Sequence, residues 1–318
     1  MKLSTHSQGN SGWPAFNVLD VLASRAEYAK WIDPPAAAAR KVRDLGIRLI
    51  VRHYGAWDND WSLFDPAAFV ADCQSQEWWT YAWAIESPNE PHPGDTLQLS
   101  NLVIRLANEG KQCIVGNWGT GWDGVWVPGA KYYGCHEYGR ATLLDSTPWH
   151  ALRYRSWFPS VLANQPDAQL FITECGVTQA LDGGPDIGYR ANGTTPAEYW
   201  ATSLLPYNRE LEKDTYVRKA FVYQFGANTD WETFECAGTE IEQLLIASYK
   251  EGLAMGPDLK DTYSAEFTAW WNAGGWRNFA SFLVATGSID ATQGEIRTLV
   301  KDRLESSVKE AVIFMDAL

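Results

Sequence analysis

The chain has 318 residues, enough for one large domain or two ordinary ones, and its 46% hydrophobic and 20% charged residues supply a core and exclude a disordered polypeptide. A net charge of −13 disfavours nucleic acid and anionic membranes as partners, because a phosphate surface needs a basic face. No run approaches the ~18 apolar residues of a membrane span, and MKLSTHSQGNSGW at the start holds no apolar signal segment, so a cytoplasmic protein or the mature form of a secreted one is expected.

The first strand is expected over residues 2–8, ending in His6 and Gln8, and a short helix over 14–24. A second strand spans 27–32. Asp33-Pro34-Pro35 then opens a helix over 36–45, with Asp33 as N-cap and Gly46 as C-cap. A third strand over 47–51 runs into Arg52 and His53, and Asp65-Pro66 starts the next helix, to about residue 76. The fourth strand, 77–86, is an aromatic apolar run that ends in Ser87-Pro88-Asn89-Glu90-Pro91, a polar pair between two prolines. A helix over 95–109 and a strand over 111–115 follow, and that strand ends at Asn117 and Trp118. A sixth strand over 131–135 leads into His136-Glu137-Tyr138-Gly139. A helix over 149–164 precedes the seventh strand, 169–173, which delivers Glu174 in Thr173-Glu174-Cys175-Gly176. A helix over 196–213, an eighth strand over 217–224 and a helix over 239–251 complete the alternation.

Eight strands alternate with eight helical segments, the fifth of them barely present. Most strands are apolar throughout, so both faces are buried and the sheet is parallel. Eight such units in ~250 residues match a TIM (β/α)8 barrel. No glycine-rich phosphate loop follows the first strand, which removes support for a dinucleotide site. The expected organisation is a catalytic barrel over 1–252 and a helical C-terminal extension over 253–318 packed on it. The extension holds helical pieces over 264–276 and 278–285, and a last helix opened by the capping box Thr292-Gln293-Gly294-Glu295.

In such a barrel the C-terminal strand ends form the catalytic face. Here they carry His6, Gln8, Lys30, Arg52, His53, Asn89, Glu90, Asn117, Trp118, His136, Tyr138, Glu174 and Gln224. Glu90 and Glu174, each ending an apolar strand, form a carboxylate pair of the kind that glycosidic bond cleavage needs: one protonated to assist the leaving oxygen, the other ionised. Of the 17 Trp, Trp57, Trp61, Trp118, Trp122, Trp126 and Trp231 lie in Gly/Asp/Asn-rich segments, where an indole face suits stacking on a sugar ring. The substrate-binding candidates are Asn89, His136, Tyr138, Arg52, His53, Trp118, Gln224 and Trp231. His6, His53 and Glu137 form no HxH or HExxH spacing, so neither metal nor other cofactor is expected. Five Cys, an odd number without CxxC spacing, read as reduced and mostly buried thiols.

The order and spacing of Asn89-Glu90 after the fourth strand and Glu174 after the seventh resemble the clan A glycoside hydrolases, over roughly residues 1–250. The resemblance implies a retaining enzyme with Glu90 as acid/base and Glu174 as nucleophile, their carboxyls ~5–5.5 Å apart. It also implies that Asn89 binds the sugar 2-hydroxyl and that His136-Glu137-Tyr138 is the strand-6 segment whose Tyr hydroxyl lies near the nucleophile. Two features depart from the clan. The nearest Arg to its strand-2 position is Arg52, after the third strand, and strand 8 ends in Tyr223-Gln224-Phe225 where the clan has Trp; Trp231 in the next loop is a substitute ring. The implied partner is a carbohydrate. The competing readings are a glycan-binding barrel without turnover and an unrelated TIM-barrel hydrolase or isomerase.

Overall fold

A computed structural model describes residues 1–8, 26–92, 94–119, 122–145, 147–226 and 229–254. The chain divides into two compact units, Met1–Ile246 and Ala247–Leu318. The helix expected over 14–24, the helical pieces after residue 254 and the capping box at 292–295 lie outside the described residues.

The first unit is a closed parallel barrel in chain order, β1 (Leu3–Gln8), β2 (Tyr28–Ile32), β3 (Arg48–Arg52), β4 (Ala84–Glu86), β5 (Gln112–Trp118), β6 (Tyr132–Gly139), β7 (Gln169–Val177) and β8 (Val217–Phe225), with β8 pairing back to β1. Helices α1 (Ala36–Asp44), α2 (Pro66–Ser75), α3 (Thr96–Asn108), α4 (Tyr154–Asn164), α5 (Pro196–Tyr199), α6 (Leu205–Glu212) and α7 (Glu240–Ala254) lie between and after the strands. This is a TIM (β/α)8 barrel. Between β5 and β6 no helix occurs among the described residues.

Local chemistry explains most boundaries. Asp65 caps α2 by accepting the Ala68 amide at 2.7 Å, with Pro66 in the first turn. Thr195 and Glu198 form a capping box at α5. The single helix expected over 196–213 is instead interrupted by a π-helical turn, Trp200–Leu204. Pro206 follows it; a proline has no amide for the carbonyl four residues back and clashes with it, and the widened turn absorbs both effects. Asp33 does not cap α1, whose N-cap is Pro35 without a side-chain bond. Its carboxylate binds His53 instead. The strand expected over 77–86 shrinks to Ala84–Glu86, because Trp79–Tyr81 forms a 3-10 turn.

Within the barrel, Tyr28, Ile50, Ala84, Ile114, Phe171 and Phe221 form a buried apolar plug, with Trp83 and Tyr132 packed against it. Side chains alternate along a strand, so the interior position two residues further on carries Lys30 on β2, Arg52 on β3, Glu86 on β4 and Tyr223 on β8. An apolar floor thus supports a layer of charge toward the C-terminal ends.

Candidate active site

Glu174 is the centre of that layer. β6 and β7 pair with a register shift: Cys135 faces Ile172, and the next partner of β6, His136, faces Glu174. Thr173 is the extra residue of this bulge and donates its hydroxyl to the Cys135 carbonyl at 3.2 Å. A bulge re-aims the side chains beyond it, and here it sets Glu174 beside His136.

Each oxygen of Glu174 has its own partners. Oε1 accepts hydrogen bonds from Arg52 Nη1 at 3.1 Å and Lys30 Nζ at 3.4 Å. Oε2 accepts from the Tyr138 hydroxyl at 2.9 Å and lies 3.7 Å from His136 Nδ1. Burial alone would push this carboxyl up; His136, Lys30 and Arg52 more than reverse that and hold it well below the usual carboxylate range. Burial, and then the negative Glu174 beside it, push the Tyr138 phenol up, so it stays a donor.

Glu90 approaches from the turn after β4. Its φ of 47° is left-handed, a conformation that costs a non-glycine residue about 1–2 kcal/mol and persists only where the surroundings impose it. The carboxyl lies against Gly119, where an added Cβ would collide with it. Glu90 Oε1 lies 3.2 Å from His136 Nδ1, the same nitrogen that faces Glu174. The Glu90 side chain is 48% exposed whereas that of Glu174 is 11% exposed, so one carboxyl is reachable from solvent and the other is enclosed. Asp58 ties the two halves together: Oδ1 accepts from Arg52 Nη2 at 3.1 Å and from the Asn89 amide at 3.0 Å.

The structure therefore brings together Glu90, Glu174, His136, Tyr138 and Arg52, and joins the Asn89 backbone to them through Asp58. Trp231 packs on Tyr223 at 5.7 Å, and Tyr223 in turn faces His6 at 5.0 Å and Tyr138 at 6.5 Å.

Three expected substrate contacts lie elsewhere. His53 follows the inward Arg52 and so turns outward; its ring nitrogens meet Asp33 at 2.6 Å and Asp72 of α2 at 3.1 Å. Trp118 is wholly buried, because the left-handed residues Gly116 and Asn117 turn it onto Tyr133 and Trp157. Gln224 is wholly buried next to the inward Tyr223, and neither amide atom of its side chain has a hydrogen-bond partner. Glu137 likewise faces away from its inward neighbours His136 and Tyr138 and accepts the Tyr207 hydroxyl.

Lys30, expected on the catalytic face but given no role there, joins the cluster, as do Asp58 and Gly119, which were assigned no place in it from sequence. A lysine inside the apolar strand Tyr-Ala-Lys-Trp-Ile was the available signal for the first; nothing in the sequence marked Asp58 or Gly119. Among the loop tryptophans, Trp122 is 48% exposed and Trp126 40% exposed, and the Trp122 ring meets His92, two residues beyond Glu90, at 5.3 Å. Among the described residues no group of three or more His, Cys, Asp or Glu is arranged to hold a metal ion, and no helix is long and apolar enough to cross a membrane. All five Cys are buried free thiols.

No protein-family model and no curated protein matches the sequence. Among solved structures, a β-glucuronidase from an uncultured Clostridium sp. aligns with a TM-score of 0.54 and 11% identity, over 79% of this chain and 50% of that one. The β-1,3-glucanase and pollen allergen CJP38 of Cryptomeria japonica aligns with a TM-score of 0.45 and 13% identity, over 74% of this chain and 95% of that one. A 4-hydroxy-2-oxoglutarate aldolase reaches a TM-score of 0.39 at 11% identity, over 78% of this chain and 92% of that one. The first likeness is one of fold: this chain is a TIM barrel similar to that β-glucuronidase and spans about half of its length.

Proposed function

We propose that this barrel is a glycoside hydrolase that cleaves an oligo- or polysaccharide with retention of configuration. The observation that carries the reading is the shared approach of Glu90 Oε1 and Glu174 Oε2 to His136 Nδ1, at 3.2 and 3.7 Å. Through the shared nitrogen those two oxygens lie no more than about 7 Å apart, an upper bound that admits the ~5–5.5 Å of retaining pairs. The β-glucuronidase of similar fold supports the same class by its name.

In this reading Glu174, kept ionised by its cations, attacks the anomeric carbon through Oε2. The glycosidic C–O bond breaks as Glu90 gives its proton to the leaving oxygen. The sugar is then an ester of Glu174. Glu90, now a carboxylate, takes a proton from water as the water oxygen attacks the same carbon; the ester bond breaks and Glu174 regains its charge. Tyr138 and Arg52 hold Glu174 for both displacements. The exposed ring of Trp122, against His92 two residues beyond Glu90, supports a sugar chain that continues past Glu90 on the leaving-group side.

Proton NMR of the first-formed product tests this. The expected result is a reducing-end anomer of the same configuration as the substrate before mutarotation; the opposite anomer would replace retention by inversion. If no member of a broad glycoside panel is turned over, the enzyme reading fails and a glycan-binding barrel takes its place.

A further inference from the structure

Beneath the carboxylate pair lies a second pair that the proposed chemistry leaves unused. Lys30 and Glu86 are both wholly buried, and Lys30 Nζ lies 3.0 Å from Glu86 Oε2. The same Nζ donates to the Thr173 carbonyl at 2.9 Å and to Glu174 Oε1 at 3.4 Å. One buried cation is thus shared by two carboxylates, one on β4 and one on β7. Lys30 is the cation that Glu86 meets at 3.0 Å. A floor built only for stability would continue the apolar plug immediately below it, because a buried ion pair recovers its desolvation cost poorly. The charge is placed instead where it reaches Glu174.

Resting on the glycosidase reading, we infer that Lys30 is a positioning residue that fixes Oε1 of Glu174 and leaves Oε2 for attack, while Glu86 sets how much of the Lys30 charge Glu174 feels. The other polar and titratable groups around the trio are His6 on β1, Arg52 on β3 with Asp58 behind it, Cys113 on β5, His136 and Tyr138 on β6, Tyr223 on β8, and Glu90 above. The environments of the two carboxylates diverge as the inference requires. Burial pushes Glu86 up in spite of Lys30 and Arg52, while Glu174 stays low. A neutral group in place of Glu86 would leave more of the Lys30 charge to Glu174.

Carbon-13 NMR titration of carboxyl-labelled Glu tests this directly, with the Glu174 resonance assigned by Glu174→Gln. Two near-isosteric variants avoid stranding a buried anion: Glu86→Gln, and the double change Lys30→Met with Glu86→Gln. In the double variant the Glu174 midpoint is expected to rise by about 1–3 pH units, the size of one close opposite charge. In Glu86→Gln it is expected to stay or fall. The acid limb of kcat/KM, measured in parallel, should move with it. Coincident Glu174 titrations in all three proteins would overturn the inference, as would a rise in Glu86→Gln alone. The titration needs no turnover, so a wild type inactive on every glycoside would sink the glycosidase reading and leave this result standing by itself.

Discussion

Glu90 and Glu174 face one and the same atom: Nδ1 of His136 lies 3.2 Å from an oxygen of the first and 3.7 Å from an oxygen of the second. Among the described residues no other side chain is hydrogen-bonded or ion-paired to both. The ring fixes the spacing of the two carboxyls and is the group through which a change at one is felt at the other. Replacing His136 with Ala should lower kcat/KM about 100-fold, as expected when a pair loses its mutual orientation, and a drop confined to KM would contradict this.

The Tyr138 hydroxyl donates to Glu174 in a bond of 2.9 Å. Tyr138→Phe removes that bond and keeps the ring. Hydrogen bonds to charged groups contribute ~1.5–3 kcal/mol, so kcat/KM should fall roughly 10- to 100-fold. An unchanged value in a folded variant would show that the hydroxyl holds nothing in the reacting state.

Gly119 tests the position of Glu90 without altering any polar group. A Cβ there collides with the Glu90 carboxyl, which can swing away because the side chain is half exposed. Gly119→Ala should therefore leave the melting temperature within a few degrees while lowering kcat by about 10-fold or more, in line with the effect of ~1 Å displacements at reacting groups. Wild-type kcat would place the working position of Glu90 elsewhere.

His53 supplies the opposite contrast. Burial pushes its imidazole pKa down, but Asp33 and Asp72 more than reverse this and leave it raised. A histidine with a raised folded pKa contributes stability that is fully present below its unfolded value of ~6.5 and is lost as pH rises through the folded value. His53→Ala should cost about 1–2 kcal/mol at pH 6 and less at pH 9, since Asp72 is half exposed and screened. Urea unfolding measures it. KM should not move; a raised KM would restore the substrate contact expected from sequence.

Glu137 gives a second pH signature. Its carboxyl, enclosed behind β6, accepts the Tyr207 hydroxyl, and the backbone amides of Leu152, Arg153 and Tyr154 favour its charged form. Burial outweighs those bonds and pushes the group up to about 7. The folded value lies above the ordinary one, so the contribution is present below about 4.5 and is lost as pH rises through about 7, an effect on the order of 3 kcal/mol at ~1.4 kcal/mol per unit. The urea midpoint of the wild type should fall between pH 5 and 8 relative to that of Glu137→Gln. Parallel curves would show that the helix amides keep Glu137 ionised throughout.

The barrel was legible in the sequence because most of its strands are apolar on both faces and separated by helical segments with readable starts such as Asp65-Pro66. Strand order then put Asn89-Glu90 fourth and Glu174 seventh with no tertiary information. What escaped was orientation. Alternation decides between Arg52 and His53, but only once the phase of β3 is known, and the phase is set by packing of Ile50 into the plug. Trp118 was misassigned because Gly116 and Asn117 take left-handed conformations that reverse the alternation just before it. The bulge at Thr173 was equally invisible. Lys30 looked like an ordinary strand-end charge, and its worth lies in contacts with residues 143 and 144 positions away.

The proposed mechanism turns on Glu174 forming the bond to the sugar. A panel of 2,4-dinitrophenyl 2-deoxy-2-fluoroglycosides of both anomeric configurations tests it by intact and peptide mass spectrometry. One fluorosugar per chain is expected, mapped to Glu174 and absent from Glu174→Gln. A label on a different carboxylate, or no label while the wild type hydrolyses the matching unfluorinated glycosides, would contradict it.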